Sequence, residues 1–422
     1  MSHTMEKVGI QNIGNTCFMN AVLQAMLHTP ILWKHFWKPF VHYDKRGEAI
    51  AKELHNVFTM ALTAKPHAVR FRGEVLSIRP DKFIDAFEAS VKGHRNIRYR
   101  RGIQLCSAEV SRYLLDVLHS YLSTRFIMEI TPGSGDSAII MRQTHSLEAF
   151  IKMYTKSESD VEKGIEKGYS EIADKFHGQT QIITICTNCK TVSSENYESW
   201  EMLPLAIPGS DIHGATAPSL LDCIADQFND ELVDDYYCDK CKLRDKVYEA
   251  CVKAHAPRNG KCCRDCYKLA TGIKRNRISR FPEYISIELK RYMINPMTER
   301  SHKVTGGILW NLDDLNLEPF SAFPESPFKT LPPRYRTYAV IEHQGRTPDS
   351  GHYYARARQG DKWFEFNDDI PAEEILREDV VTNNSYIIFA TSDPTYDSFF
   401  TTELPAYKAA LVGAAGGAGA PS

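Results

Sequence analysis

The chain has 422 residues, with 51 Lys+Arg against 53 Asp+Glu and a net charge of −2. At about 150 residues per domain this is enough for roughly two to three domain-sized units. The balanced charge gives no global drive toward nucleic acid or an anionic membrane, and 43% hydrophobic with 11% aromatic residues exclude a largely disordered chain. No apolar run reaches the roughly 18 residues of a membrane span, and the short polar start, Met1–Lys7, reads as no signal peptide. The expected setting is intracellular, cytoplasmic and/or nuclear.

In chain order, residues 16–28 read as a helix through Met19, Val22, Leu23, Met26 and Leu27, stopped by Pro30. Residues 48–62 form a second through Ile50, Leu54, Val57, Phe58 and Ala61, and residues 107–122 a third through Val110, Leu114, Val117, Leu118 and Leu122. After Ile130 a Thr-Pro-Gly-Ser-Gly-Asp loop opens an insertion at about 131–170, whose Lys-, Glu- and Ser-rich part reads as solvated. From Gln179 the pattern shifts to short strands: Thr180–Cys186, Ser199–Ile207, Lys246–Lys253, Tyr284–Tyr292, Tyr338–Glu342, His352–Arg358, Trp363–Phe366 and Tyr386–Ala390. Five prolines mark 316–333 as a connecting loop. The tail, 394–422, is expected to be largely disordered towards its Ala/Gly-rich end. Helices followed by strands give an α+β class.

The 11 cysteines are unevenly placed. Cys186/Cys189 and Cys238/Cys241 are two C-x-x-C pairs, 49 positions apart. Two such knuckles, each at the end of a strand, can supply four thiolates to a tetrahedral structural Zn²⁺ with no open position for chemistry. A further cluster, Cys251, His255, Cys262, Cys263 and Cys266, leaves a second metal or redundant loop thiols open.

Cys17 sits where an irregular Gly-containing segment meets a helix N-terminus. Unpaired N–H groups and the positive helix end stabilise a thiolate there, and the same amides can donate to an oxyanion. Asn12 offers a side-chain amide for that task. Taken alone, Cys17 is better explained by burial at a helix start, and it takes a base elsewhere to overturn that reading. His352 follows Ser350-Gly351 and opens a strand, and 15 positions on Asn367, with Asp368 beside it, ends the next strand. Antiparallel pairing of those strands brings an Asn/Asp side chain to the imidazole and fixes its tautomer. His343 lies in a similar strand without the Gly or the Asn/Asp partner. The basic run Lys274, Arg275, Arg277, Arg280, Lys290 and Arg291 alternates with apolar residues and reads as a solvated strand face, not a nucleic-acid platform.

GIQNIGNTCFMNAVLQAMLHTP resembles the Cys box of the ubiquitin-specific proteases, and SGHYYAR…W..FND resembles their His box. HGQTQIITICTNCKTVSSENYESWEMLPLAIP, YYCDKCKLRDK and RFPEYISIELKRY resemble the centre of that catalytic domain. The resemblance runs from about Val8 to Asp393. It implies a papain-like fold: a thumb at about 8–130, the insertion at 131–170, and palm and fingers at 171–393, with a zinc ribbon within 180–290. It implies a catalytic domain acting as a monomer on ubiquitin or ubiquitinated proteins, with Cys17 as nucleophile, His352 as base, Asn367 as third member, Asp368 assisting and Asn12 in the oxyanion hole. The segment from Gln104 to His119 resembles a box whose Asp engages the basic ubiquitin tail. Here Cys106 stands at the Asp position, while Glu109 matches; Tyr353 is expected to line the channel for the Gly-Gly end. Two alternatives stay open. The chain could act on another ubiquitin-like modifier, which the departure at Cys106 motivates. It could also be a zinc-stabilised module that binds ubiquitin without turnover.

Overall fold

The computed structural model describes residues 7–37, 40–42, 47–64, 66–69, 73–94, 97–124, 146–150, 168–208, 217–236, 238–242, 270–294, 301–323, 333–347 and 350–416. The expected strand Lys246–Lys253, most of the 131–170 insertion and the cluster from Cys251 to Cys266 lie outside these residues.

The N-terminal third carries β1 (Gly9–Ile10), α1 (Cys17–Leu27), α2 (Pro30–Phe36), α3 (Glu48–Thr63), β2 (Pro66–Val69), β3 (Gly73–Ile78), α4 (Asp81–Val91) and α5 (Ser107–Leu122). α3 and α5 are amphipathic, and their buried stripes carry the residues expected from periodicity except Leu122, which is half-buried while Tyr121 beside it is buried. α1 differs, because all of its residues are buried, including polar Asn20 and Gln24. It runs through the centre of the molecule and packs on the main sheet.

After α6 (Glu171–Phe176) come β4 (Gly178–Cys186), β5 (Val192–Trp200), β6 (Leu203–Leu205), α7 (Leu220–Gln227), β7 (Glu231–Tyr236), β8 (Ala270–Arg280), β9 (Tyr284–Leu289), β10 (Tyr292–Ile294) and β11 (Ser301–Lys303). They are followed by β12 (Leu315–Asn316), β13 (Arg334–Thr347), β14 (Ser350–Gln359), β15 (Lys362–Phe366), β16 (Glu373–Ile375) and β17 (Ser385–Thr391). The main sheet has the order β16-β15-β14-β13-β17-β9-β6, with β12 on β13, and a separate four-stranded sheet has the order β5-β4-β8-β7. One face of the main sheet packs on the helical layer in a core that includes Phe18, Leu23, Tyr338, Ile341, Tyr353 and Ile387. The α+β expectation therefore holds, and no helix among the described residues is long and apolar enough to cross a membrane.

Three local expectations need correction. The stretch Ser199–Ile207 is not one strand but the end of β5 followed by β6. β5 lies at a sheet edge and is polar on its exposed face, so the apolar alternation that marks a strand is weak there. The basic run is held mostly in ion pairs, Arg275 and Arg277 with Asp230, Arg280 with Asp174 and Lys290 with Glu288. Arg291 departs from the solvated reading. It is fully buried and donates to the carbonyls of Ser385, Val304 and Gly306.

The third correction concerns the tail. Tyr396–Ser398, a π turn at Phe399–Glu403 and α8 (Leu404–Gly416) follow one another without a break. Alanine has the highest helix propensity, and Phe399, Phe400 and Leu404 anchor the stretch in the core. The Tyr407 ring stacks on Trp37 with centroids 4.3 Å apart. These anchors sit before or at the start of the Ala/Gly-rich end, and the helix they begin runs on into it as far as Gly416.

Candidate active site

Thr16 folds the segment before α1 back over the helix start. Its amide donates to Asn12 Oδ1 at 3.0 Å, and its hydroxyl oxygen accepts from the Ile13 amide at 2.9 Å. Gly14 (φ 79°) and Asn15 (φ 56°) take left-handed conformations in this turn, which Gly adopts freely and Asn more readily than most residues. Cys17, the first residue of α1, is 3% exposed, in the helical turn whose N–H groups lack intrahelical acceptors.

β13 and β14 pair in antiparallel register, with Gln344 opposite His352 and His343 opposite Tyr353. Side chains alternate along a strand, so His352 and Tyr353 take opposite faces. A Cβ at Gly351 (φ +127°) would lie 2.2 Å from the Gln344 carbonyl oxygen, so only glycine lets β13 pass this close to the base. β15 then carries the chain to Asn367, whose Oδ1 lies 2.7 Å from His352 Nε2. Nε2 therefore holds the proton, which leaves Nδ1 for the cysteine. His352 is raised to about 9, first by its hydrogen bond with Cys17, against the opposing effect of burial, then by Asn367 and by the charges of Cys17 and Asp368. Its ring is an imidazolium at neutral pH, a donor aimed at the nucleophilic sulfur. His343 is fully buried, stacked on Tyr353 at 3.9 Å and hydrogen-bonded to Tyr292. Burial holds its pKa down at about 4, so it stays neutral and away from the nucleophile.

Asp368 is not on the imidazole. One carboxylate oxygen accepts from Asn12 Nδ2 at 2.9 Å and the other from Asn20 Nδ2 at 2.7 Å, while its carbonyl accepts from the Ile10 amide. It ties the nucleophile helix and β1 to the strand end bearing Asn367. Asn20 was missed from sequence. Its signal was a polar residue in a wholly buried helix, repeated four positions on at Gln24, which donates to the Val8 carbonyl at 2.7 Å. Gln104 was missed as well. It accepts from Cys17 Sγ at 3.9 Å.

Of the residues expected to meet substrate, Glu109 lies exposed in the first turn of α5. Cys106 occupies the N-cap position of α5 but is 8% exposed, with Sγ 2.9 Å from the Tyr386 hydroxyl. Burial pushes its thiol pKa up, against the Tyr386 bond. Tyr386 also donates to Glu288 Oε1 at 3.2 Å, and Glu288 is held by Arg112 at 2.8 Å and Lys290 at 2.9 Å. Tyr353 is fully buried, because its register position turns it into the core beneath the catalytic face.

At the far end of the four-stranded sheet, the sulfurs of Cys186, Cys189, Cys238 and Cys241 lie within 4.8 Å of one another. Cys186 to Cys241 is 3.6 Å and Cys189 to Cys238 is 3.5 Å. Tetrahedral coordination with metal–sulfur bonds of about 2.3 Å requires separations of about 3.8 Å, so the four thiols can hold a metal ion. Cys186 ends β4, and Lys190 (φ 57°) closes its knuckle by donating its amide to the Cys186 carbonyl at 2.9 Å.

Comparison with known proteins agrees with this geometry. Residues 8–389 match the family model described as Ubiquitin carboxyl-terminal hydrolase. The chain is 27% identical over 391 residues to ubiquitin carboxyl-terminal hydrolase Usp2 of Drosophila melanogaster, covering 90% of this chain and 34% of that protein. It is 25% identical over 389 residues to human ubiquitin carboxyl-terminal hydrolase 2, covering 90% and 54%. The chain thus spans about a third to a half of these relatives. Among solved structures, a chain of the SAGA DUB module Ubp8/Sgf11/Sus1/Sgf73 bound to monoubiquitin superposes with a TM-score of 0.61 at 17% identity, over 93% of this chain and 70% of that one.

Proposed function

The chain belongs to the ubiquitin carboxyl-terminal hydrolase family, and from that premise we propose that it is a thiol-dependent deubiquitinase that cleaves the bond after the C-terminal glycine of ubiquitin. The observation that carries this reading is the alignment of Cys17, His352 and Asn367 on three separate elements, with His352 Nε2 2.7 Å from Asn367.

Attack by the Cys17 thiolate on the glycine carbonyl forms a C–S bond and places the carbonyl electron pair on oxygen. Collapse breaks the C–N bond, and the proton held on His352 goes to the leaving lysine amine. The neutral imidazole then takes a proton from water, which attacks the thioester. Ubiquitin leaves as a carboxylate and the thiolate returns. Backbone N–H groups at the start of α1 face the developing oxyanion, and Asn12 joins them with the amide hydrogen that Asp368 leaves free. Asn367 fixes the tautomer, while Asp368 works through the seam it closes.

We assign residues 8–393 to one catalytic unit of thumb, palm and fingers, monomeric, and placed in a reducing intracellular compartment that keeps Cys17 a thiol. The four-cysteine cluster would hold Zn²⁺ as a structural ion. Four thiolates would fill a tetrahedral site and leave no position for substrate, so these cysteines would fasten the two knuckles together and take no part in the reaction. Cys106 supports a second reading, a different ubiquitin-like modifier. A buried thiol bonded to Tyr386 presents no carboxylate to a basic tail.

The test is incubation with a panel of modifiers bearing C-terminal electrophiles, followed by intact mass. A covalent adduct with ubiquitin, lost in Cys17→Ala, supports the deubiquitinase. Labelling by another modifier and not by ubiquitin moves the activity to that modifier. Labelling by none refutes both enzyme readings.

A further inference from the structure

Gln104 lies in the loop that leads into α5 and is 8% exposed. The loop is fastened to the nucleophile turn. Gly102 (φ 90°) presents its carbonyl to Asn15 Nδ2 at 2.8 Å, two residues before Cys17. Gln104 Oε1 accepts from the Cys17 thiol at 3.9 Å. Its Nε2 is buried and has no hydrogen-bond partner among the described residues. A buried donor left unpaired is costly and rare in folded proteins, and it calls for an explanation.

The reacting sulfur supplies one. As a thiol it donates a proton to Oε1. As a thiolate it has no proton to give, and the lone pairs of Oε1 then face a negative charge. The two ends of a primary amide are nearly equal in size and differ in role, oxygen accepting and nitrogen donating. Half a turn about the Cγ–Cδ bond therefore exchanges them without repacking the neighbours. It satisfies Nε2 and gives the thiolate a second donor, opposite the His352 imidazolium.

We propose, resting on the acyl-transfer reading above, that Gln104 is a catalytic residue: its amide accepts from the Cys17 thiol while the sulfur is protonated, then donates through Nε2 to the thiolate and to the oxyanion that forms on the attacked carbonyl. In the tetrahedral intermediate the oxyanion is attached to the same carbon as the sulfur, so a donor already at the sulfur is within reach of both. No bond to Gln104 forms or breaks. The C–S bond forms as the carbonyl pair moves to oxygen, and Nε2–H stabilises that charge before the C–N bond breaks.

The experiment compares wild type with Gln104→Glu, which keeps the shape and removes the donor, and Gln104→Leu, which keeps the packing and removes all polarity. Melting temperature identifies which variants fold. Alkylation of Cys17 by iodoacetamide is followed against pH, and turnover is measured on ubiquitin with a fluorogenic C-terminal amide. In folded variants the alkylation midpoint moves to higher pH, and kcat falls by about 10²-fold, as expected for loss of one preorganised donor, with a smaller change in KM. An unchanged alkylation profile, or a loss confined to KM, overturns the assignment. Alkylation needs no modifier. A wild-type enzyme that alkylates but leaves ubiquitin intact would therefore sink the deubiquitinase reading and leave Gln104 to be judged on the alkylation profile alone.

Discussion

The Asp368 carboxylate accepts a hydrogen bond from Asn20 Nδ2 at 2.7 Å, across the seam between the nucleophile helix and the sheet that carries the base. Asn367, its neighbour in sequence, holds His352 instead. Two adjacent residues thus do different work, and Asp368 can turn away because it adopts φ 51°, a conformation that Asp and Asn tolerate better than most residues.

The first prediction follows from that division. Asn367→Ala removes the group that fixes the His352 tautomer and is expected to lower kcat by about 10²–10⁴-fold with the fold intact. Asp368→Asn keeps the backbone conformation and loses the charge that Asn12 and Asn20 share. It is expected to lower the melting temperature and to reduce kcat by less. Steady-state kinetics with thermal denaturation check both, and the opposite ranking would make Asp368 the working third member.

The pH dependence follows from His352. Its folded pKa, about 9, stands above the ordinary value of 6.5. The protonated ring therefore contributes stability that is fully present below about 6.5 and is lost as pH rises through about 9. The alkaline limb of kcat/KM is expected near pH 9, where the imidazolium loses its proton. Asn367→Ala should move that limb to lower pH, since its bond is one cause of the raised value. Cys17→Ala removes the largest cause, so its melting temperature should fall less between pH 6.5 and 9 than that of wild type.

Zinc at Cys186, Cys189, Cys238 and Cys241 is expected to contribute folding energy directly. Elemental analysis should find at least one zinc per chain. Removal by a strong chelator should lower the melting temperature, and Cys238→Ser should lower both metal content and stability. Metal-free protein of unchanged stability would contradict a structural ion. Two zinc ions per chain would direct attention to the cluster from Cys251 to Cys266.

Cys106→Asp would set a carboxylate against a buried hydroxyl that already serves Glu288. The gain of an N-cap acceptor, about 1 kcal/mol, is opposed by burial and by competition of two carboxylates for one Tyr386 proton and one Arg112. Leaving a buried charge without its partner costs about 3 kcal/mol or more, so Cys106→Asp alone should destabilise in denaturant unfolding. The double change with Glu288→Gln should recover much of the loss, because Arg112 and Tyr386 then serve a single carboxylate. Equal stability of wild type and the single variant would refute the competition.

Much of this molecule was legible from residue order alone. Helical periodicity located α1, α3 and α5, and the C-x-x-C spacing located the metal cluster, because both depend on neighbours a few positions apart. The Cys and His boxes likewise keep their chemistry in short segments, so Cys17, His352 and Asn367 could be named before any contact was known. The remaining assignments were decided between segments far apart in sequence. Cross-strand register turned Tyr353 and His343 away from the catalytic face. Burial against Tyr386 took the Cys106 thiol out of solvent. Packing of β1 on the end of β15 gave Asp368 to Asn12 and Asn20. Gln104 stands 87 positions from the sulfur it touches. A side chain's partners depend on which distant backbone is packed against it, and only the folded chain brings those backbones together.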